Sequence, residues 1–318
     1  MSSSVSSGAT RAAVSAAAAF GVVSTDPAVL ADGANVIVHL RPAPVVAKIA
    51  ASTAAVRPDS PAWLRRELEV TAFLEQSGLP VMAPARGIPA EVHHLGGHVM
   101  SFWTYLEPST AGRPDEDTIG SLLRDLHTVL REYPRPLPAM TSLGDIPAFL
   151  RRRQTRLNSA DTGLLDETYQ RLAGELARAA SGTGTRGGEG ADAGAGTGQV
   201  LHGDAGAGNL MAVGTGGAVG TGGAVGTEST RDVGWLWHDF EDACTGPVEW
   251  DLAATTASPR FDRSRILAAY GDTADDELLR VCEQLRRLHL TIWYSLYAER
   301  LPECRARAAE LINSWRKA

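Results

Sequence analysis

The chain has almost no lysine. Of its 30 basic residues only Lys48 and Lys317 are lysine, and the other 28 are arginine. Ala47 and Arg316 precede them where a Walker A loop needs glycine, so P-loop NTPases are excluded. Cysteine is scarce too: Cys244, Cys282 and Cys304 are too few and too scattered for a disulfide framework or a zinc cage. No apolar run reaches the ~20 residues of a membrane span. Basic excess is also missing, with 37 acids against 30 bases and a net charge of −7, which argues against a nucleic-acid binder. These absences leave a soluble, cytoplasmic protein without membrane or nucleic-acid partners. Its 318 residues, 44% of them hydrophobic, suffice for one large domain or two lobes.

Met1 to Phe20 is rich in Ala and Ser and free of leucine, which favours an N-terminal helix over a secretory signal. Val36-Ile37-Val38 and Val45 to Ile49 are short β-rich runs after a turn at Asp32-Gly33. Ser60-Pro61 reads as N-cap and first-turn proline of a helix that Gly78 and Pro80 close. His98 to Leu106 is another β-rich run. Ile119, Leu122, Leu123, Leu126, Val129 and Leu130 keep amphipathic helical spacing, and long helical patterns fill 275–300 and 302–316. The expected architecture is a small β-rich part followed by a mostly helical one.

Two inserts, 181–198 and 214–230, are of low complexity. The second holds Gly-Thr-Gly-Gly-Ala-Val twice in tandem, too few copies for a repeat fold. Ordering a residue costs about 1–2 kcal/mol, whereas burying a valine returns roughly 1.5–3 kcal/mol, so six residues around one valine are expected to be disordered. Gly182, Gly184 and Gly187 match a dinucleotide fingerprint, but they follow a helical pattern rather than a strand and carry no such meaning.

Three places can carry chemistry. On the helix from Pro61 to Ser77, Glu67 projects from the face formed by Trp63, Leu64, Val70 and Leu74. A carboxylate there is costly to bury unless paired; it pairs with Lys48 or an arginine, or it reaches solvent at the helix edge. In His202-Gly203-Asp204-Ala205-Gly206-Ala207-Gly208-Asn209, small residues separate an Asp that can orient a hydroxyl from an Asn that can offer oxygen to a hard cation. An ordinary glycine-rich turn reads the same way. Finally, a strand from Trp235 to Phe240 would bring Asp239 and Glu241 to its C-terminal edge, as metal ligands or as a solvated end.

Taken in order, a strand lysine, a helix glutamate, Asp-x4-Asn and a strand-end aspartate are the inventory of kinase-type phosphoryl transfer. With His-Gly-Asp-x4-Asn, Asp-Phe-Glu, Gly246-Pro247-x-x-Trp250-Asp251-Leu252-Ala253 and Leu-x-x-Leu-His ending at His127, the chain resembles the aminoglycoside phosphotransferase and choline kinase-like family from about Ala31 to Tyr294. The resemblance implies an α+β, two-lobed protein-kinase-like fold, with an N-lobe over 1–105 and a C-lobe over 106–318. It implies ATP and Mg2+ as cofactors and a small-molecule hydroxyl acceptor such as an aminoglycoside, amino sugar or choline. By position it makes Asp204 the catalytic base, Asn209 and Asp239 the Mg2+ ligands, and Lys48 the phosphate contact held by Glu67. The backbone of Thr104, Tyr105 and Leu106 would bind adenine. His202 would order the loop, and Asp251 would anchor it. The sequence departs from the family in having Gly206 where many members carry His, and no glycine-rich loop before Val36.

Glu249, Asp251, Asp272, Asp275 and Asp276 would suit a cationic acceptor, although helix starts favour acids for their own reasons. Two other readings compete. The adjacent His238 and Asp239 suggest a metal-dependent phosphohydrolase, which leaves Lys48 and Glu67 unexplained. A non-catalytic nucleotide-binding module on the same scaffold would lose nothing measurable on Asp204→Asn.

Overall fold

The computed structural model describes residues 4–109, 112–152, 157–183, 198–214 and 233–317. Most of both low-complexity inserts, and the disorder expected of them, lies outside the described residues. Helix α1 (Ser4–Ala18) is followed by strands β1 (Ala28–Asp32), β2 (Asn35–His39) and β3 (Val45–Ala50), and by helix α2 (Ser60–Gln76). Strands β4 (His93–Leu95) and β5 (His98–Thr104) complete an antiparallel sheet of order β1-β2-β3-β5-β4.

The two faces of the sheet do different work. Strand side chains alternate between faces. Ala47 and Ile49 of β3 share a core with Val36, Val38 and the α1 alanines Ala9, Ala12, Ala13 and Ala17, whose small side chains line one stripe of the helix. Val46 packs on the opposite side with Leu68 of α2 and Trp103 of β5. Lys48 shares that second face, so period-two alternation alone turns it away from the alanine core and toward α2.

The rest of the described chain is mainly helical: α3 (Glu116–Leu130), α4 (Asp145–Leu150), α5 (Ser159–Thr183), α6 (Glu249–Thr256), α7 (Arg263–Tyr270), α8 (Asp276–Arg300) and α9 (Arg305–Trp315). Two strand pairs sit among them, β6 (Gln199–Leu201) with β9 (Cys244–Gly246) and β7 (Leu210–Gly214) with β8 (Val233–Trp237). Ile119, Leu123, Leu126 and Leu130 of α3 are fully buried in the largest core, as their spacing predicts. Gly120 lies on the same helix, and a Cβ there would meet the Ile266 carbonyl of α7 at 2.4 Å, so only glycine permits this crossing.

Several boundaries differ from expectation. Asp59 rather than Ser60 caps α2, because its carboxylate accepts from the Ala62 N–H at 3.3 Å while the Ser60 hydroxyl turns back to the Arg57 carbonyl. Strand β8 stops at Trp237, not Phe240: Asp239 takes a left-handed conformation (φ 69°), and a tight turn at Phe240–Asp242 follows. A similar turn at Pro302–Cys304 delays α9 to Arg305, and the start of 181–198 continues α5 to Thr183.

Candidate active site

Lys48 is buried in the centre of the sheet, where an unpaired ammonium would be prohibitive. Its Nζ lies 2.8 Å from Glu67 Oε2 on α2 and 3.0 Å from Glu241 Oε2, and it also bonds Asp239 Oδ1. Burial works against its charge, but Asp239, Glu241 and Glu67 together hold its pKa well above the ordinary lysine value. Against the cost of burial, Lys48 and His238 hold Asp239 down to about 2. Of the options for Glu67, the structure takes the pair with Lys48.

Glu241 was placed in sequence only as a strand-end acid. It accepts from Asn35 Nδ2 at 2.9 Å and Arg57 Nη1 at 3.1 Å and forms an ion pair with Lys48. Arg57, which no sequence pattern singled out, is a buried hub. It bonds Asp145, Glu241 and Asp242 and lies 3.6 Å from the centre of the Trp63 ring. One guanidinium cannot neutralise three carboxylates, and burial, against its pull, pushes Asp242 up to about 8.

The Asp204 loop is held from behind. Asp251 of α6 accepts the backbone N–H groups of His202 (2.8 Å) and Gly203 (2.9 Å), and His127 of α3 lies 3.0 Å from it. His202 is buried, with Nε2 3.0 Å from the His238 carbonyl and Nδ1 accepting from the Asp204 N–H. Burial lowers its pKa and keeps it neutral, which suits an ordering role. Gly203 has φ +84°, and a Cβ there would meet the Asp242 carbonyl at 1.8 Å. The Asp204 carboxylate, half exposed, is gripped at both oxygens: Oδ1 by Arg286 Nη1 at 3.1 Å, Oδ2 by Asn209 Nδ2 at 3.3 Å.

Arg286 also escaped the sequence reading, since an arginine in an amphipathic helix gives no signal of its own. Its guanidinium is buried, stacks 3.8 Å from the centre of the Trp250 ring, and donates to the carbonyls of Gly203 (2.6 Å) and Trp250 (3.2 Å).

Two cavities meet at Asp239. One, of about 390 Å3, runs from an apolar end lined by Ile37, Val46, Met82, Trp103 and Met211 to a polar end at Lys48, Glu67 and Asp239. Thr104, Tyr105 and Leu106 border it, but the N–H groups of Thr104 and Tyr105 already donate to the Ala83 and Pro44 carbonyls. A base contact through a backbone donor in this segment therefore falls to Leu106. The other cavity, of about 660 Å3, contains Asp204, Asp239, Arg286 and Arg287. A planar group in the first cavity with its charged tail at Lys48 would meet a second molecule at Asp204.

The donor set suits a hard divalent cation. Lys48 and Arg57 are two cations facing the carboxylates of Asp145, Asp239 and Glu241, while burial pushes Glu67 and Asp242 each up to about 8, so the cluster keeps a negative excess that a divalent ion offsets. Glu67, Asp239 and Glu241 bring carboxylate oxygens within 4.8 Å of one another, but Lys48 already joins all three. The better place is the cleft side of Asp239, which is 37% exposed, with Asn209 nearby. The Asn209 amide nitrogen is engaged by Asp204, which leaves its oxygen as the end to offer a ligand. Among the described residues the carboxylates grouped closely enough to hold an ion are Glu67, Asp239 and Glu241, and His238 is not among them.

A family model described as the phosphotransferase enzyme family matches residues 27–221, more than half of the chain. The chain belongs to this family. It is a phosphotransferase acting on hydroxyl groups. Among curated proteins none matches it. Solved structures show the same fold. An amicoumacin kinase in complex with AMP-PNP, Ca2+ and Ami superposes with a TM-score of 0.61 at 12% identity, over 94% of this chain and 91% of that one. A microcompartment-associated aminopropanol kinase gives 0.59 at 18%, over 92% and 91%. A choline kinase from Streptococcus pneumoniae gives 0.57 at 11%, over 96% and 99%. The phosphotransferase thus has the expected two-lobed protein-kinase-like fold. Among the described residues no helix is long and apolar enough to cross a membrane.

Proposed function

We propose that this phosphotransferase moves the γ-phosphoryl group of ATP, with Mg2+, onto a hydroxyl of a small acceptor in the cytoplasm. The observation that carries the reading is the position of Asp239, shared by an elongated cavity ending at Lys48 and a wider one holding Asp204. In this reading residues 1–105 form the nucleotide lobe and residues 106–318 the lobe that carries Asp204.

The adenine lies against Val46, Met82 and Trp103, with the Leu106 N–H as its backbone donor. Lys48, oriented by Glu67, contacts the α- and β-phosphates. Asn209 and Asp239 would hold Mg2+, which when bound would neutralise charge on the transferred group. Asp204 accepts a hydrogen bond from the acceptor hydroxyl, aims its oxygen at the γ-phosphorus and takes its proton as transfer proceeds. Arg286 and Asn209 fix the carboxylate so that it need not reorganise during the reaction.

Three of the five acids weighed for a cationic acceptor have other partners. Glu249 accepts from the Asp275 N–H, Asp251 holds the Asp204 loop, and Asp275 caps α8. None of the three lines the wider cavity.

The test is acceptor-dependent ADP release from Mg-ATP across hydroxylated amines, sugars and acids, with Asp204→Asn as control. Turnover that disappears in the variant while Mg-ATP still binds supports the reading. Mg-ATP binding without turnover for any acceptor favours the non-catalytic module, and absence of nucleotide binding refutes both.

A further inference from the structure

The wall of the wider cavity is built by one stripe of α8, in which Glu283, Arg286, Arg287, Leu290, Trp293 and Tyr297 recur at helical spacing. Arg307 and Leu311 of α9 face it. Five acids border this space, and each contacts a cation, although Lys48 and Arg57 are each shared by several of them. Asp204 is bonded to Arg286, Asp239 to Lys48, Glu241 to Lys48 and Arg57, and Asp242 to Arg57, while Glu283 lies 2.9 Å from Arg263. A cationic acceptor would have to compete with these guanidinium and ammonium groups for every one of them.

Among the lining arginines the accounts differ. Arg57 and Arg286 are consumed by the pairs just given. Arg307 pairs with Glu310 at 2.8 Å on the surface, where such a pair holds weakly. Arg287 forms no ion pair among the described residues. Its guanidinium carbon instead lies 4.4 Å from the centre of the ring of Trp315, which is buried and whose Nε1 donates to Thr291 Oγ1 at 2.9 Å. Contact with a fixed indole covers one side of the guanidinium and leaves N–H groups for recognition of an anion.

We infer that the acceptor is a small hydroxylated anion, bearing a carboxylate or a phosphate, and that Arg287 with Arg307 reads its charge while Asp204 meets its hydroxyl. This rests on the phosphotransfer reading of the same cavity. Charge-assisted, bidentate pairing of arginine with such groups is strong and directional, and it gives the site a preference that the Asp204 loop alone does not.

The test uses the full chain and calorimetric titration. Mg-AMP-PNP is added first, followed by one of three probes of similar size: glycerate, glycerol phosphate or aminopropanediol. The expected result is that at least one anion binds about tenfold or more tightly than the cation, and that Arg287→Gln removes about that factor for the anion only. Arg287→Lys, which keeps the charge without the fork, should recover part of it. Preference for glycerate identifies a carboxylate acceptor and preference for glycerol phosphate a phosphorylated one. Tighter binding of aminopropanediol, equal or undetectable binding of all three, or an anion affinity untouched by Arg287→Gln would overturn the inference. If Mg-AMP-PNP itself fails to bind, the phosphotransfer reading falls first, and this inference falls with it.

Discussion

The two cavities that share Asp239 are built by different means. The narrower one is made of strands, helix α2 and a strand-end turn, and its charged groups stand at positions with a local rule: alternation for Lys48, a helix face for Glu67, a chain reversal for Asp239. The wider one is walled by α8 and α9, whose arginines look like the solvated side of any amphipathic helix until the fold brings them to Asp204. In the proposed reading, the nucleotide site is assembled from short-range geometry, whereas the acceptor site depends on which distant helix is packed beside it.

This contrast can be broken from either side. The largest effect is expected at the junction's catalytic end, where Asp204→Asn should lower kcat by about 10²–10⁴-fold with nucleotide affinity retained, as read by steady-state kinetics and nucleotide titration. Next comes the narrow cavity. Lys48→Met leaves Glu67, Asp239 and Glu241 without their shared cation, and urea denaturation should show a loss of about 3–5 kcal/mol together with weakened nucleotide binding. Arg286→Met, on the wide side, should do the reverse: a fall in kcat of about 10²-fold from a misplaced Asp204, with the KM for ATP unchanged. Arg286→Lys should restore part of that turnover. Equal losses of nucleotide affinity in the Lys48 and Arg286 variants would erase the distinction between the cavities.

The smallest effect sharpens the charge balance behind both. Asp242 keeps its proton up to about 8 in the folded protein, but only to about 4 in the unfolded chain. Between these values the folded state binds the extra proton, so the contribution is complete below the lower value and is lost as pH rises through the upper one. Stability should therefore decline by up to about 1.4 kcal/mol per pH unit across that window, and Asp242→Asn should flatten the decline in urea titrations at several pH values. Asp239, held low by Lys48, contributes in the opposite sense, and its share is lost as pH falls below about 4.

Much of the fold was legible because its signals are periodic. The leucines of α3 say which face is buried, and the structure buries that face, while the Ala-rich start forms helix α1 and the run Val45 to Ile49 lies within strand β3. Boundaries were less legible where a backbone conformation intervened, as at Asp239, whose positive φ ends β8 three residues before Phe240. The acids at Glu249, Asp251 and Asp275 illustrate the same limit. Their residue type permits a receptor for a cation, yet their positions commit them to backbone N–H groups.

What the order of residues settled by itself was the chemistry available: one interior lysine, a helix glutamate, Asp204 five positions before Asn209, and an aspartate at a strand end. Spacing along a chain constrains neighbours within a turn or a strand, so it could specify those groups and the small loop that carries two of them. It could not say that Glu67 would choose Lys48, that Arg57 would hold three carboxylates, or that Arg286 would reach back over 82 positions to Asp204. Those pairings were decided only by the tertiary structure. Burial removes water as a partner, and each enclosed charge must then find its counter-charge among whatever the packing places within about 3 Å.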